Sequence, residues 1–513
     1  MGSYPIKKLI LPYLLPKHIV MRKLLLLCSL PILCITMNAQ TTKMVAPPPG
    51  LSAIRLEDIK KDMYDLADAH FNGRSAGTLD ELKASMWLAE KFRSIGLKPA
   101  GDEGTYFQFF SMWRNRIADN SSISINNRKL SLWNEVAVSQ MANKIIDAPI
   151  VYLGNATSID NTIDVKGKVV AIEAASNGIN MNVSLPTWRY SRNIMTRYGN
   201  ALVNKGAIAI IFIADETAEK SWADANENFK RGNYDIEGGP NTQVSSTVPV
   251  MWLHADAKNE LQNNTATLKA NIIIEHFQYP SVNIVGKIDG TDRTLAAEYL
   301  LYSGHQDAHG IRNAINNDSI YYGADDNASV DVAMLAAARA FKQNPGKRSV
   351  LFVIHGAEER GLLGSRWYAA HPTVAQKNIV AVLNGDMIGR NTPDSAALLG
   401  VQPPHRNSLD LVTMALDANN EGPKFKLDTL WDKTTHPEGW YFRSDHVPYA
   451  RLGIPALMYS TLLHPDYHTP MDNAANIDFA KLKRMTEWMY RTGWKVANAA
   501  VRPATDLNFK LER

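Results

Sequence analysis

His305, Asp325, Glu359, Asp386 and His468 are side chains whose types and settings point to metal chemistry, and Glu358 adds a carboxylate directly before Glu359. Two imidazoles and three carboxylates make a donor set for a pair of zinc ions. The spare carboxylate, Glu358, can then act as the general base that hydrolysis by an activated water requires. The apolar run Ser349-Val350-Leu351-Phe352-Val353-Ile354 reads as a buried strand and leads into His355-Gly356-Ala357-Glu358-Glu359. Adjacent carboxylates at a strand exit are costly unless a cation is near. Taken alone, Glu358-Glu359 also fits a solvated pair at a helix start, and Asp325-Asp326 a helix cap before Ser329. Asp307, two residues beyond His305, is placed to accept the imidazole N–H and fix its tautomer.

Positioning residues so far apart requires a framework. Residues 298–304, 349–354, 379–383 and 454–459 read as strands, and residues 329–341 and 362–370 as helices. Val330, Met334, Leu335, Ala338 and Phe341 share one face of the first helix, which a turn at Asn344-Pro345-Gly346 ends. Such alternation predicts an α/β fold with a mostly parallel sheet and helices on both faces. In such folds the site lies beyond the carboxyl ends of the strands, where His305, Glu358, Glu359, Asp386 and His468 all fall.

The remaining histidines, His309, His355, His371, His405, His436, His446 and His464 among them, read mainly as packing or surface residues. His464 and His468 have the spacing of a helical ligand pair, but Pro465 and Pro470 argue for a loop, and no His-Glu-x-x-His occurs. Arg443-Ser444-Asp445-His446 is a charged loop ahead of the last strand, either structural or lining a cleft.

Upstream, residues 56–69 and 79–97 carry helical periodicity, with Thr78 and Asp80 as caps and Gly96 near the end. Between residues 143 and 277 the pattern shifts to short β-rich runs, notably 149–153, 167–172, 207–212 and 248–253, with a helix over 195–205. This stretch has no cluster of potential ligands, so its expected role is to shape access. Pro47-Pro48-Pro49-Gly50 reads as a short linker.

Composition excludes several classes. A chain of 513 residues, 45% hydrophobic and 21% charged, is ordinary soluble protein of more than one domain. The net charge of +4 is mild and the cations are scattered, so nucleic-acid binding has no support. From Met21, Arg22-Lys23, the apolar residues 24–35 and then Met37-Asn38-Ala39-Gln40 match a secretory signal, with cleavage after Ala39 and translation starting at Met21. The apolar run is short for a membrane span, and Leu33 before Cys34 is bulky for lipoprotein processing. Both cysteines, Cys28 and Cys34, lie in this segment, so the mature chain would have neither disulfide nor thiol nucleophile.

Gly304-His305-Gln306-Asp307, Gly323-Ala324-Asp325-Asp326-Asn327-Ala328-Ser329, Gly356-Ala357-Glu358-Glu359-Arg360-Gly361, Asn384-Gly385-Asp386-Met387 and Tyr467-His468-Thr469-Pro470 resemble the signatures of the exported di-zinc aminopeptidases. That superfamily also contains glutamate carboxypeptidase, glutaminyl cyclase and the transferrin receptor. The resemblance is dense over about the last 230 residues and weak near residues 62–97. It implies a phosphorylase/hydrolase-like core, a mixed, mostly parallel sheet flanked by helices, and makes the β-rich stretch look like an inserted protease-associated domain. It also implies that Asp325 bridges two Zn2+ ions, with a cis peptide between Asp325 and Asp326, and pairs His305 with Asp386 on one ion and His468 with Glu359 on the other. By the same resemblance Tyr467 corresponds to a tyrosine that stabilises the oxyanion in some members.

The division expected is a signal over residues 1–40, the start of the peptidase domain over 41–142, a protease-associated domain over 143–278 and the main peptidase domain over 279–513. The function expected is exopeptidase action at the free amino end of peptides, with Glu358 as base to a water shared by the ions, in the periplasm or outside the cell. Three alternatives stand beside it: a carboxypeptidase for acidic dipeptides using Arg390 or Arg443, a one-zinc glutaminyl cyclase, and a non-enzymatic receptor-like ectodomain, of which the last typically lacks ligands that are all present here. The partners expected are peptide substrates, with no nucleic acid and no stable membrane insertion.

Overall fold

The structure is a computed structural model that describes residues 46–155, 159, 162–175, 184–262 and 265–512. The signal segment, with Met21, Cys28 and Cys34, lies outside the described residues. Among the described residues no helix is long and apolar enough to cross a membrane.

The main sheet is mixed and flanked by helices. Its strands are β1 (Phe107–Ile117), β2 (Asn233–Ile236), β3 (Ile274–Ile288), β4 (Tyr299–His305), β5 (Ser349–His355), β6 (Ile379–Gly385), β7 (Ser395–Leu399), β8 (Lys426–Asp428) and β9 (Ala456–Ser460), and the two-residue strand Lys98–Pro99 pairs with β3. They lie in the order β8-β7-β9-β6-β4-β5-β3-β1-β2. The centre, β9-β6-β4-β5, is parallel, while β3 pairs antiparallel with β5 on one side and β7 with β9 on the other. The parallel centre is the alternating βα part of the sequence, and the antiparallel flanks make the whole sheet mixed, as the resemblance implies.

Burial on both faces explains the unbroken apolar strands. In β5, Val350, Phe352 and Ile354 face one core, which also holds Val330, Met334 and Phe341. Leu351 and Val353 face the opposite core, with Leu301, Val382 and Tyr449. The helices that cover the first face include α1 (Leu56–Leu66), α2 (Leu79–Ile95), α3 (Ser329–Gln343) and α4 (Phe479–Asn498). The α2 ends follow the sequence signals, since Thr78 Oγ1 accepts the Glu81 N–H and Gly96 adopts φ 89°.

The first turn of α3 rests on two glycines. A Cβ at Gly304 would come within 2.6 Å of Val330 Cγ1, and one at Gly385 within 2.9 Å. Without side chains there, the helix start settles onto the ends of β4 and β6 and carries the Asp325-Asp326 turn with it. The Pro47-Pro48-Pro49-Gly50 stretch does not span open space: the Tyr490 hydroxyl donates to the Pro49 carbonyl.

A second sheet of eight strands takes its members from Ser122 to Ile272 and has its own apolar core. The expected runs all appear in it, as Lys144–Tyr152, Val169–Glu173, Ala209–Ile213 and Val250–Leu253. The paired strands β1 and β3, in register from Ile117↔Ile274 to Phe107↔Ile284, carry the chain out of the main sheet and back.

Candidate metal centre

The strand ends converge as the alternation predicts. His305 closes β4, Glu358 and Glu359 follow β5, Asp386 follows β6, and His468 lies in the loop after β9. Ala357, at φ 54°, turns the chain sharply so that both glutamates are presented at the rim. Asp307 holds that turn: its Oδ1 accepts the Glu358 N–H at 2.9 Å and its Oδ2 the Glu359 N–H at 3.2 Å. The His305 Nδ1 bonds instead to the Asp307 backbone carbonyl at 3.1 Å, with the carboxylate 3.7 Å away. Asp307 therefore meets His305 through its main chain, because its side chain is occupied by the glutamate turn.

The bridging assignment is corrected. Asp326, not Asp325, stands between the histidines, with Oδ1 3.3 Å from His305 Nε2 and Oδ2 3.1 Å from His468 Nε2. Asp325 points away: its Oδ1 accepts the Gly389 N–H at 2.6 Å and its Oδ2 lies 3.4 Å from His464 Nε2. The cis peptide likewise falls between Asp326 and Asn327, one bond later than expected. The physical reason is how the turn is pinned. Asp472 accepts both the Asp325 and Asp326 N–H groups, at 2.8 and 3.0 Å, and Asn327 bonds across to Gly385 and Met387. Only the side chain of Asp326 is left facing the rim.

Two clusters result. His305, Glu358 and Asp386 form one, with His305 Nε2 3.7 Å from Glu358 Oε2 and 3.9 Å from Asp386 Oδ2. His309, Glu359 and His468 form the other, with Glu359 Oε1 3.2 Å from His468 Nε2. Asp326 contacts a histidine of each. His309, taken from sequence as a packing or surface residue, is thus part of the site; its place four residues beyond His305 was the available signal.

The electrostatics call for cations. Burial pushes the Asp386 carboxyl up to about 8, and neighbouring Asp326 and Asp445 add to it. Burial likewise pushes Glu358 well up, opposed by His305 but reinforced by Glu359, Asp386 and Asp445. Burial alone would also raise Asp326, yet its close contacts with the His305 and His468 imidazoles pull it well below the usual carboxylate range. So many carboxylates crowded out of water are stable as anions only beside positive charge. His305 Nε2 and Glu359 Oε1 are buried without a hydrogen-bond partner, as donor atoms awaiting a metal would be. The residues present therefore fit zinc: His305, Asp326 and Asp386 on one side, and Asp326, Glu359 and His468 on the other.

Around these lie residues that position rather than ligate. Arg74, fully buried, donates to the carbonyls of Gln306, Tyr322, Gly323 and Leu66, tying the His305 loop to the segment before Asp325. Tyr467 stacks on His468 with ring centres 3.6 Å apart, and its hydroxyl accepts from Arg443 Nη2 at 2.8 Å. Ser444 hydrogen-bonds Asn384 and neighbours Asp386, so the Arg443-Ser444-Asp445-His446 loop lines the site. Glu438 joins Arg443 to Ser184 and Arg189, so residues from the second-sheet region reach the rim.

Residues 283–492 match the profile of Peptidase family M28. An aminopeptidase of Bacillus subtilis, YwaD, is 23% identical over 443 residues, covering 84% of this chain and 83% of its own. Among solved structures, an aminopeptidase from Aneurinibacillus sp. strain AM-1 aligns with TM-score 0.54 and 19% identity over 90% of this chain and 97% of its own. A zinc aminopeptidase from Bacillus subtilis aligns with TM-score 0.55 and 19% identity over 89% and 99%. The family match spans the strands and loops that carry His305, Asp326, Glu358, Asp386, His468 and their neighbours.

Proposed function

We propose that the protein is an exported di-zinc aminopeptidase in which Glu358 is the general base. The observation that carries this reading is the shared carboxylate: Asp326 lies between two histidine–carboxylate clusters, and Glu358 stands beside one of them. When bound there, a pair of zinc ions polarises the scissile carbonyl and lowers the pKa of the attacking water. Glu358 takes the proton from that water and returns it to the departing amine. Asp307 holds the Glu358 backbone during both transfers. Tyr467, which burial keeps protonated, donates its hydroxyl hydrogen to the carbonyl oxygen as negative charge develops there.

The charge around the rim favours an amine over a carboxylate. Arg390 is paired with Asp466, and Arg443 shares Glu438 with Arg189, so both cations considered for an acidic substrate already face a carboxylate of the protein. The complete set of ligands for two ions speaks against one-zinc cyclisation. We assign the second-sheet region to a protease-associated domain that frames the rim, and the N-terminal segment to export, on its charged, apolar and small-residue pattern.

The test is a panel of peptides with free or blocked ends, with products read by mass spectrometry. Trimming from the free amino end is expected, and trimming of amine-blocked peptides would refute the assignment. Glu358→Gln keeps the side-chain shape and the backbone bond to Asp307, so it should retain metal while kcat falls about 10²–10⁴-fold, the contribution of general-base catalysis. Activity within about tenfold of the original would remove Glu358 from the base role.

A further inference from the structure

His309 is buried, with 8% of its surface exposed, and neither ring nitrogen has a hydrogen-bond partner. An unpaired buried polar group costs about 1–3 kcal/mol, so imidazoles buried for packing alone usually find an acceptor. The geometry around it is that of a coordination shell. Its Nε2 lies 3.4 Å from Glu359 Oε2, while the other oxygen, Oε1, lies 3.2 Å from His468 Nε2, which is itself 3.1 Å from Asp326 Oδ2. Tetrahedral zinc with bonds of about 2.0–2.1 Å has donor–donor edges of about 3.3–3.4 Å. The three contacts are close to such edges. The contacts of His305 with Glu358 and Asp386, at 3.7 and 3.9 Å, are wider.

From this, and resting on the di-zinc reading above, we propose that His309 is an additional protein ligand of the ion held by Asp326, Glu359 and His468. Four protein donors would then hold that ion, against three, His305, Asp326 and Asp386, for its neighbour. The His309 site is therefore the tighter of the two, and the ion beside Glu358 the more readily exchanged.

The test compares the whole protein with His309→Ala and His309→Phe, each stripped of metal and titrated with Zn2+ against a chromophoric chelator. Phenylalanine keeps the perpendicular ring contact with His468, whose centre lies 4.0 Å away, but cannot ligate. Both variants should weaken one of the two zinc affinities by at least about tenfold and leave the other in place. His309→Phe binding both ions like the wild type would overturn the proposal. A measurement on the wild type is independent of how the variants fold: X-ray absorption at the zinc edge should count three imidazoles per two ions, and a count of two would overturn it. Wild-type protein that binds fewer than two ions would instead sink the di-zinc reading itself.

Discussion

Replacing Asp325 and Asp326 by asparagine, one at a time, separates two neighbouring carboxylates that local sequence leaves interchangeable. Asp326 places one oxygen 3.3 Å from His305 Nε2 and the other 3.1 Å from His468 Nε2, so on the proposed di-zinc reading Asp326→Asn takes a charged donor from both ions at once. Losing a group that merely orients a ligand lowers metal affinity about 10–100-fold, which is a floor for losing a ligand itself. Applied at both sites, the combined affinity should fall by at least about 10²–10⁴, or about 3–5 kcal/mol. Asp325→Asn touches neither ion. Its carboxylate accepts the Gly389 N–H at 2.6 Å, and an amide oxygen in that place exchanges a charged acceptor for a neutral one, a loss of about 1–2 kcal/mol in folding stability. The assay is zinc content by elemental analysis after dialysis against buffered zinc, with denaturant unfolding of the metal-free proteins alongside. Metal loss should follow Asp326→Asn alone. Equal loss in Asp325→Asn, or two ions retained in Asp326→Asn, would refute the reasoning.

Further outcomes follow from other parts of the molecule. Burial holds the His446 imidazole down to about 3, with His405 adding to the effect, so below the ordinary histidine pKa of about 6.5 the unfolded chain takes up a proton that the native state refuses. Stability should then fall as pH drops from about 6.5 towards 3, by up to about 1.4 kcal/mol per pH unit from this group, and His446→Phe should flatten that slope in urea titrations; an unchanged slope counts against it. Arg443→Met frees the Tyr467 hydroxyl from its 2.8 Å contact, so kcat should fall by about tenfold with zinc content unchanged, and a change confined to KM would exclude Tyr467 from transition-state stabilisation. Gly304→Ala drives a methyl within 2.6 Å of Val330 Cγ1 and should cost about 1–3 kcal/mol by denaturant unfolding while loosening the turn that carries Asp326; a neutral effect would mean that α3 is not seated as described.

Much of the peptidase region was legible because its signals are local. The run over residues 349–354 had to be buried on both faces, and β5 is. The alternation of strands with helices implied a parallel arrangement, and β9-β6-β4-β5 is parallel. Antiparallel flanks were less legible, because pairing direction depends on long-range closure of the sheet and leaves little trace in any one strand. His309 escaped notice for a similar reason. Whether an isolated histidine packs or ligates depends on what stands opposite it, and Glu359 and His468 are far away along the chain.

By itself, the sequence determined the kinds of donor available, their order, and the strand ends on which most of them sit, since these follow from residue type and hydrophobic period. It also set two glutamates, Glu358 and Glu359, in adjacent positions at one strand exit. Only the tertiary structure decided which aspartate of the Asp325-Asp326 pair faces the site. That choice is made by Asp472 and Asn327, whose hydrogen bonds pin the turn from segments remote in sequence, and by the glycines that let α3 settle on the strand ends. Side-chain direction in an irregular turn has no period to read. It is set by the partners that satisfy the backbone, and those partners are brought together only by the fold.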